Sequence, residues 1–396
     1  MYKFKRFWLL LKRKLGIFTQ IKNINDVRKN PQIPLYNIIM SVLLMPFYNL
    51  KSLLAYDRIA RKKRYKRLFN CNRKMVASDS TISRAFNRLD PVEITAFQQG
   101  LLPTYITNNL YRIQLNQNSQ YKTIGIIDGS CMSNHYLSAF VLNGKIEYPI
   151  LIENCRKRGK ELPISKVLLD KAKMVLGVHF PQLILVDALY FNENSFNRVR
   201  EKKSHILIKC KEPEFREVLK QARFIFNAKE EVNDVIIEEH GFDSRRICSW
   251  KIEITSGEFA GYPIQIAHLI EDYPLEKGDK SHIECWIVTT DLSLSSFEIR
   301  EAAHLRWHIE NNVFKRLSHL VGTKTFYFRD PTPFFTLLRL LCLALAVYGI
   351  LIHSLTQNIR FFNKIRKGIK PTWKNIFSQL DELLFDGIFC YESEFI

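Results

Sequence analysis

Three acidic residues stand where their carboxylates could together hold a divalent cation. Asp128 follows the apolar run IGII, Asp187 follows LILV, and Glu310 lies between apolar residues in the segment RWHIENN. A strand buried on both faces accommodates a carboxylate only where the strand emerges from the core, and open α/β sheets bind ligands along that edge. Neighbouring carboxylates repel each other unless a cation lies between them. The pattern therefore predicts an oxygen-rich site of the kind that Mg²⁺ prefers.

Each acid also has a purely structural interpretation. Asp128 stands before Gly129 and could simply form a turn. Asp187 could cap the helix that follows it. Glu310 could be an exposed helix residue that pairs with Arg306, four residues earlier. The order strand, strand, helix favours one shared site over three separate structural roles.

Alternating strands and helices between residues 121 and 355 must position these acids. A hairpin is predicted with its turn at Asn143-Gly144, and a helix over Glu161 to Leu176. Ser295 or Ser296 can cap the helix that carries Glu310, with Glu298 near its first turn. Apolar runs predict further strands at 183–187, 205–211, 235–238, 246–254, 262–269 and 282–292. We expect an α/β fold: a mixed sheet flanked by helices, with a β-rich insertion over 212–282 and core segments over 116–211 and 283–355.

The first 115 residues are predicted to be helical and to bind DNA. Basic residues greatly outnumber the two acids, Asp26 and Asp57, before Met75, and such clustering is the electrostatic footprint of a DNA-binding face. Asp79 or Ser80 could cap a helix that stops before Pro91. If that helix is the second of a helix-turn-helix, its first turn could contact phosphates or bases; an ordinary packing helix fits the pattern equally well. The candidate contacts in this region are Arg61, Lys62, Lys63, Arg64, Ser80, Thr81 and Arg84.

The composition indicates a globular protein that meets a polyanion. The 396-residue chain is 46% hydrophobic and carries 59 Lys and Arg against 39 Asp and Glu, a net charge of +20. Such a charge favours nucleic acid first and an anionic membrane surface second, although a basic codon bias would give it too. The scattered cysteines include no CxxC pair and fit a reducing cytoplasm. The apolar run between Phe334 and Leu355 is interrupted by Arg339, so a buried helix is expected rather than a bilayer span.

The ordered set IIDGS, LVDALY, HILIKCK, WIVTTD and LRWHIENNVFKRL resembles the DDE transposases of the IS4 type. The likeness runs from ASDSTISRAFNRL to the apolar helix after Pro333. The family motif on the last helix is Y-x2-R-x3-E-x6-K, and Arg306 and Glu310 match it. Ala303 stands at the tyrosine position and Leu317 at the lysine position. At 100° per residue all four positions would share one helix face. Lys315 and Arg316 lie on other faces and Lys324 follows the helix, so it stays open whether one of them replaces the missing lysine.

The resemblance implies an RNase H-like catalytic core in which Asp128, Asp187 and Glu310 bind two Mg²⁺ ions, with Mn²⁺ as a substitute. It also implies cleavage at the ends of a mobile element, joining of the 3′-hydroxyls to target DNA, and a homodimer that holds two ends of double-stranded DNA. A cytoplasmic, nucleoid-associated protein follows, with a helical tail over 356–396. Three alternatives stay open: a nuclease without strand transfer, an inactive DNA-binding remnant, and a membrane-associated helical protein.

Overall fold

The computed structural model describes residues 11, 15–46, 50, 52–61, 76–117, 119–210, 218, 220, 234–240, 243–253, 261–274, 280–321, 328 and 330–356. The protein is a mixed α/β structure in which helices flank one open sheet. Ten strands of the described chain join this sheet; nine run in the order β4-β3-β2-β5-β6-β10-β9-β8-β7, and the short β1 pairs with β2.

The first half of the sheet is an antiparallel meander followed by two parallel strands. Strands β2 (Lys122–Met132), β3 (His135–Asn143) and β4 (Glu147–Asn154) form the meander, so the predicted turn after Asn143 is confirmed. Strand β5 (Leu183–Asp187) is parallel to β2, and β6 (His205–Cys210) is parallel to β5. Parallel neighbours require crossovers. Here the crossovers contain two helices, α7 (Glu161–Leu176) and α8 (Glu193–Glu201).

The predicted β-rich insertion consists of strands that extend the same sheet. Strands β7 (Asp234–His240), β8 (Asp243–Glu253) and β9 (Pro263–Pro274) pair in antiparallel succession. Strand β10 (Lys280–Thr289) then pairs with both β9 and β6. Because β10 bridges the two halves, the insertion shares the hydrogen-bonded ladder of the core.

The N-terminal part is helical, with one exception to the prediction. The described helices are α1 (Ile17–Lys22), α2 (Leu35–Leu44), α3 (Leu53–Ala60), α4 (Asp79–Phe86), α5 (Pro91–Gln99) and α6 (Leu102–Thr107). Residues Arg112–Ile113 are the exception, since they form β1. The predicted cap of α4 at Asp79 or Ser80 is wrong by one residue or more. Ser78 is the cap, because its hydroxyl accepts the Thr81 backbone N–H at 3.1 Å.

The helix that carries Glu310 is interrupted. Helix α9 (Ser296–His308) begins with a capping box between Ser295 and Glu298, as one of the two predicted caps requires. A π-helical segment (Ile309–Phe314) follows, and then α10 (Lys315–Val321). The continuous α-helix predicted from the sequence is therefore wrong in its middle.

One helix, α11 (Pro331–Thr356), is apolar enough to be compared with a membrane span. Its most apolar stretch, Pro331–Ile350, is 94% buried inside the protein. It packs against α2, α5 and β4, and Arg339 donates from Nη2 to the Ile152 carbonyl at 3.2 Å. These contacts are those of a buried core helix, as predicted. The predicted tail over 356–396 lies beyond the described residues, apart from its first residue, Thr356.

Candidate active site

Asp128 lies inside strand β2, not at its end. The strand continues to Met132 because β3 keeps pairing with it as far as His135. The prediction that the strand stops at this acid is therefore wrong, and so is the interpretation of Asp128-Gly129 as a turn. The side chain is 9% exposed, and Oδ1 accepts the Gly129 backbone N–H at 2.8 Å.

Asp187 is the last residue of β5, as predicted. The parallel register pairs Ile126 with Leu185, and continuing it by two residues brings Asp128 level with Asp187. The Asp187 Oδ1 atom accepts the Leu189 backbone N–H at 3.0 Å and so caps the short 3₁₀ turn that follows. The capping role considered for Asp187 is therefore present, although the element it caps is a 3₁₀ turn. This role uses the Oδ1 atom of the carboxylate.

Arg306 brings the three acids together. Its Nη1 atom lies 2.6 Å from Glu310 Oε1 and 3.7 Å from Asp128 Oδ2, and its Nη2 atom lies 4.0 Å from Asp187 Oδ2. The predicted convergence of Asp128, Asp187 and Glu310 is therefore seen, around a guanidinium. The Arg306–Glu310 pair considered as a structural alternative is also present. One positive charge offsets part of the repulsion among three carboxylates.

The π-helical segment sets how Glu310 is presented. A π turn is rare and is frequently found at functional sites. Here it leaves the Glu310 side chain 50% exposed, whereas Ile309 and Val313 beside it are buried. It also breaks the spacing of 100° per residue, so the predicted single face for positions 303, 306, 310 and 317 does not hold. Ala303 and Leu317 are buried in the core, where neither could contact DNA.

Burial dominates the electrostatics of Asp128. It raises the pKa of this carboxyl from 3.8 to about 6; the Arg306 charge and the Gly129 N–H lower the pKa, while Asp187 and Glu310 raise it. Within the described chain, Asp128 Oδ2 has no hydrogen-bond partner. A buried oxygen without a donor is costly to keep, and such a group belongs more often to a reactive site than to a structural one.

The donor set suits a hard divalent cation. Carboxylate oxygens are the ligands that Mg²⁺ prefers, and the unpartnered Oδ2 atom of Asp128 offers such an oxygen. No three His, Cys, Asp or Glu side chains of the described chain are already spaced as a metal-binding group. The three acids are grouped around Arg306, so its guanidinium would have to withdraw from them before they could share a cation.

The predicted DNA contacts are scattered over several places. Lys315 is exposed at the start of α10, whereas Arg316 is partly buried and lines a cavity beyond the π segment. Ser80 and Arg84 are exposed on α4, and Thr81 is partly buried. Arg61 pairs with Asp57 at 2.9 Å. Four of the predicted contacts lie outside the described residues: Lys62, Lys63, Arg64 and Lys324.

Lys209 is a neighbour of the site that sequence reasoning missed. It is the register partner of Asp187 on β6, and its ammonium lies 3.5 Å from the centre of the Trp307 ring. Burial lowers the pKa of this lysine. A lysine inside the otherwise apolar strand HILIKC, next to the strand of the second acid, was the available signal.

Comparison with known proteins adds no relative. A scan against protein-family models finds no match, and a search of curated proteins finds no significant one. The motif residues and their geometry therefore carry the functional argument.

Proposed function

We propose that this protein is a DNA transposase of the DDE class, with an RNase H-like core and a site formed by Asp128, Asp187 and Glu310. The observation that carries the proposal is that Arg306 gathers three acids that are far apart in the sequence. The sheet supports it as well, because a three-stranded meander followed by two strands parallel to the first is the RNase H-like arrangement.

The three carboxylates would hold two Mg²⁺ ions, or Mn²⁺ in their place, with Asp128 as the shared ligand. The bound ions supply Lewis acidity, which lowers the pKa of an attacking hydroxyl group and stabilises the leaving oxygen. No side chain is then needed as a general base. Burial of Asp128 keeps water away from its carboxylate and strengthens its attraction for cations.

The two reactions are both substitutions at phosphorus. In the first, a water oxygen attacks the phosphorus at the element end, and the bond to the 3′-oxygen breaks, leaving a 3′-hydroxyl. In the second, that hydroxyl attacks a phosphorus in target DNA and displaces the 3′-oxygen of the target strand. Arg306 lies beside the acids and is suited to grip a phosphate through two parallel hydrogen bonds.

The basic N-terminal region would recognise the terminal inverted repeats of the element, and a homodimer in the bacterial cytoplasm would pair two ends. The charge of +20 supports binding to double-stranded DNA, and the exposed Ser80 and Arg84 on α4 support this region as a contact surface. Deletion of residues 1–115 should abolish sequence-specific end binding in an electrophoretic shift assay; unchanged end binding would refute this part.

The test uses the full chain with a labelled duplex that carries the inverted repeat flanking its gene. With Mg²⁺ we expect nicking at the repeat and joining of the new 3′-end to plasmid DNA. Asp128→Asn keeps the shape of the side chain but removes the charge, so it should abolish both products while end binding persists. Glu301→Gln removes a carboxylate of α9, the helix that carries Arg306, but this carboxylate pairs with Arg300, so the variant should leave both products in place.

The outcomes separate the alternatives. Cleavage without joining indicates a nuclease, and binding without cleavage in the wild type indicates a DNA-binding remnant. Cleavage retained by Asp128→Asn would rule out the proposed site.

A further inference from the structure

A second polar site lies on the other side of the π-helical segment. A cavity of about 260 Å³ opens between the β3–β4 turn, the segment that joins α9 to α10, and α11. The side chains that matter here are Lys145, Glu147, Asn312, Arg316 and His353, and the wall is completed by Gly349. The cavity is large enough for a phosphate group.

The wall that carries Lys145 is held in place by backbone contacts. The Lys145 N–H donates to the Leu110 carbonyl at 2.9 Å, and the Tyr105 hydroxyl donates to the Ile146 carbonyl at 2.5 Å. A side chain at Gly349 would overlap Ile146 Cγ2, so the glycine lets α11 lie close to this turn. The backbone of the turn that carries Lys145 is therefore preformed, which lowers the entropy cost of binding.

The charges of the cavity match a single negative charge. Lys145 and Arg316 contribute two positive charges, and Glu147 contributes one negative charge. Asn312 Nδ2 donates to Glu147 Oε1 at 2.8 Å, and the Glu147 charge also acts on Arg316, where it offsets part of the lowering of the Arg316 pKa by burial. Burial and the neighbouring Lys145 lower the pKa of His353, which favours the neutral form of its ring. With a neutral histidine, the net charge of these cavity side chains is +1. The single negative charge of a phosphodiester would cancel it.

The sheet register gives the distance between the cavity and Asp128. Asp128 pairs with Ala139 and Ile124 pairs with Asn143, so the β3–β4 turn begins four residues along the sheet from the active acid. At about 3.3 Å per residue this is roughly 13 Å. One strand of DNA carries a phosphate every 3.4 Å or so along the helix axis, and successive phosphates are also turned about that axis. The span therefore corresponds to at most about four nucleotides of one strand.

We infer that the cavity binds a phosphodiester of the DNA backbone through Lys145 and Arg316, within about four nucleotides of the phosphate that reacts. This inference rests on the proposed function. Arg316 then contributes to DNA binding, as the sequence predicted, but at a distance from the acids and together with Lys145, which the sequence did not single out.

The experiment measures duplex binding by fluorescence anisotropy as a function of NaCl concentration, in Ca²⁺ so that the DNA stays intact. Lys145→Gln and Arg316→Gln should each reduce the slope of log K against log salt by about 0.9, the value for one phosphate contact. The control, Lys166→Gln, removes an exposed charge on α7 and should leave the slope unchanged. Gly349→Ala should weaken binding without a change in charge, because it deforms the wall.

A second measurement locates the contact. Single neutral methylphosphonates are placed along the strand, and one of them, within about four nucleotides of the cleavage site, should weaken wild-type binding. The same substitution should have no effect on Arg316→Gln, since the contact is already lost. Circular dichroism and thermal melting check that each variant is folded; if Arg316→Gln does not fold, Lys145→Gln carries the same comparison.

The results that overturn the inference are distinct from those that overturn the proposed function. If the wild type cleaves and joins DNA while both Gln variants keep the wild-type slope and the wild-type methylphosphonate profile, only the cavity inference fails. If the wild type does not bind duplex DNA, both fail. If inorganic phosphate raises the melting temperature of the wild type but not of Arg316→Gln, while the DNA slopes are unchanged, the cavity takes free phosphate and the backbone contact is wrong.

Discussion

Helix α9 contacts two clusters of charged side chains, and they differ in how well their charges balance. In one, Glu271 of β9 is 0% exposed, and its Oε1 atom accepts from Arg300 at 2.6 Å and lies 3.1 Å from the ring nitrogen Nε2 of His304. In the other, a single guanidinium, Arg306, faces three carboxylates. Arg300 and His304 are four residues apart and share one helix face, whereas Arg306 lies on a different face.

The contrast supports the second cluster as the reactive one in the proposed function. The buried Glu271 carboxylate, paired with Arg300, joins β9 to α9. An excess of negative charge, with one acid 50% exposed and another 36% exposed, would instead favour a cation from solution, as the proposed function requires. Proteins keep such unbalanced sites at a cost in stability, and usually for function.

The largest expected effect separates two glutamates of one continuous helical region. Glu310→Gln should lower the rate of strand cleavage by about 10³-fold, the scale for losing a group that stabilises charge in a transition state. Glu301→Gln loses a contact to Arg300, which belongs to the other cluster, so it should change the cleavage rate by less than about two-fold. Single-turnover cleavage rates of the two variants measure this difference. Similar rates would contradict the proposal that only the cluster around Arg306 takes part in cleavage.

The next effect concerns the matched cluster. Glu271→Gln removes the buried counter-charge of Arg300, which keeps the pair with the more exposed Glu301, and should lower the free energy of unfolding by about 3–5 kcal/mol. Urea unfolding followed by circular dichroism measures this loss. The fraction that stays folded should cleave DNA at the wild-type rate, because Glu271 does not touch the acids. A large loss of activity in protein that is fully folded would contradict a structural role.

The smallest effect tests the cost of the unbalanced cluster. Because the pKa of Asp128 is about 6 in the folded protein and 3.8 ordinarily, ionising this carboxyl disfavours the fold. The free energy of unfolding therefore falls as the pH rises from about 4 to 6, and the loss is complete above pH 6. The difference between the two pKa values corresponds to a loss of roughly 3 kcal/mol. Asp128→Asn should therefore be more stable than the wild type at pH 7.

The measurement for Asp128 is urea unfolding of both proteins in EDTA between pH 3.5 and 8. The two curves should coincide near pH 3.5 and separate as the pH rises. A wild type that gains stability relative to the variant over this range would show that Arg306 outweighs burial, and the sign of the pKa shift would be wrong.

Local patterns predicted most of the secondary structure. Helix α7 begins at Glu161 and ends at Leu176 as expected, and the capping box at Ser295 follows from the residue types alone. Strands β8 and β9 cover most of their predicted stretches. Such features depend on neighbouring residues, whose spacing is visible in the sequence.

The errors occur where a distant segment decides the outcome. Strand β2 passes through Asp128 because β3 continues the ladder, and no local signal in KTIGIIDGSCM marks where that pairing ends. The apolar spacing around Glu310 also fits an ordinary helix, so the π-helical segment was not expected. Lys209 was overlooked because its importance comes from Trp307 and Asp187, which reach it from other elements.

The residue types and their order determined by themselves that the chain forms an α/β sheet protein with a basic surface and three acids on strand, strand and helix. They also determined the charge excess, since it depends on composition alone. Only the tertiary structure decided that Arg306 stands among the acids, that Arg316 turns toward a separate cavity with Lys145, and that Ala303 and Leu317 are buried. The reason is physical: a side chain's partners depend on how sheet register and helix packing bring remote backbone together, and these are long-range properties of the whole core.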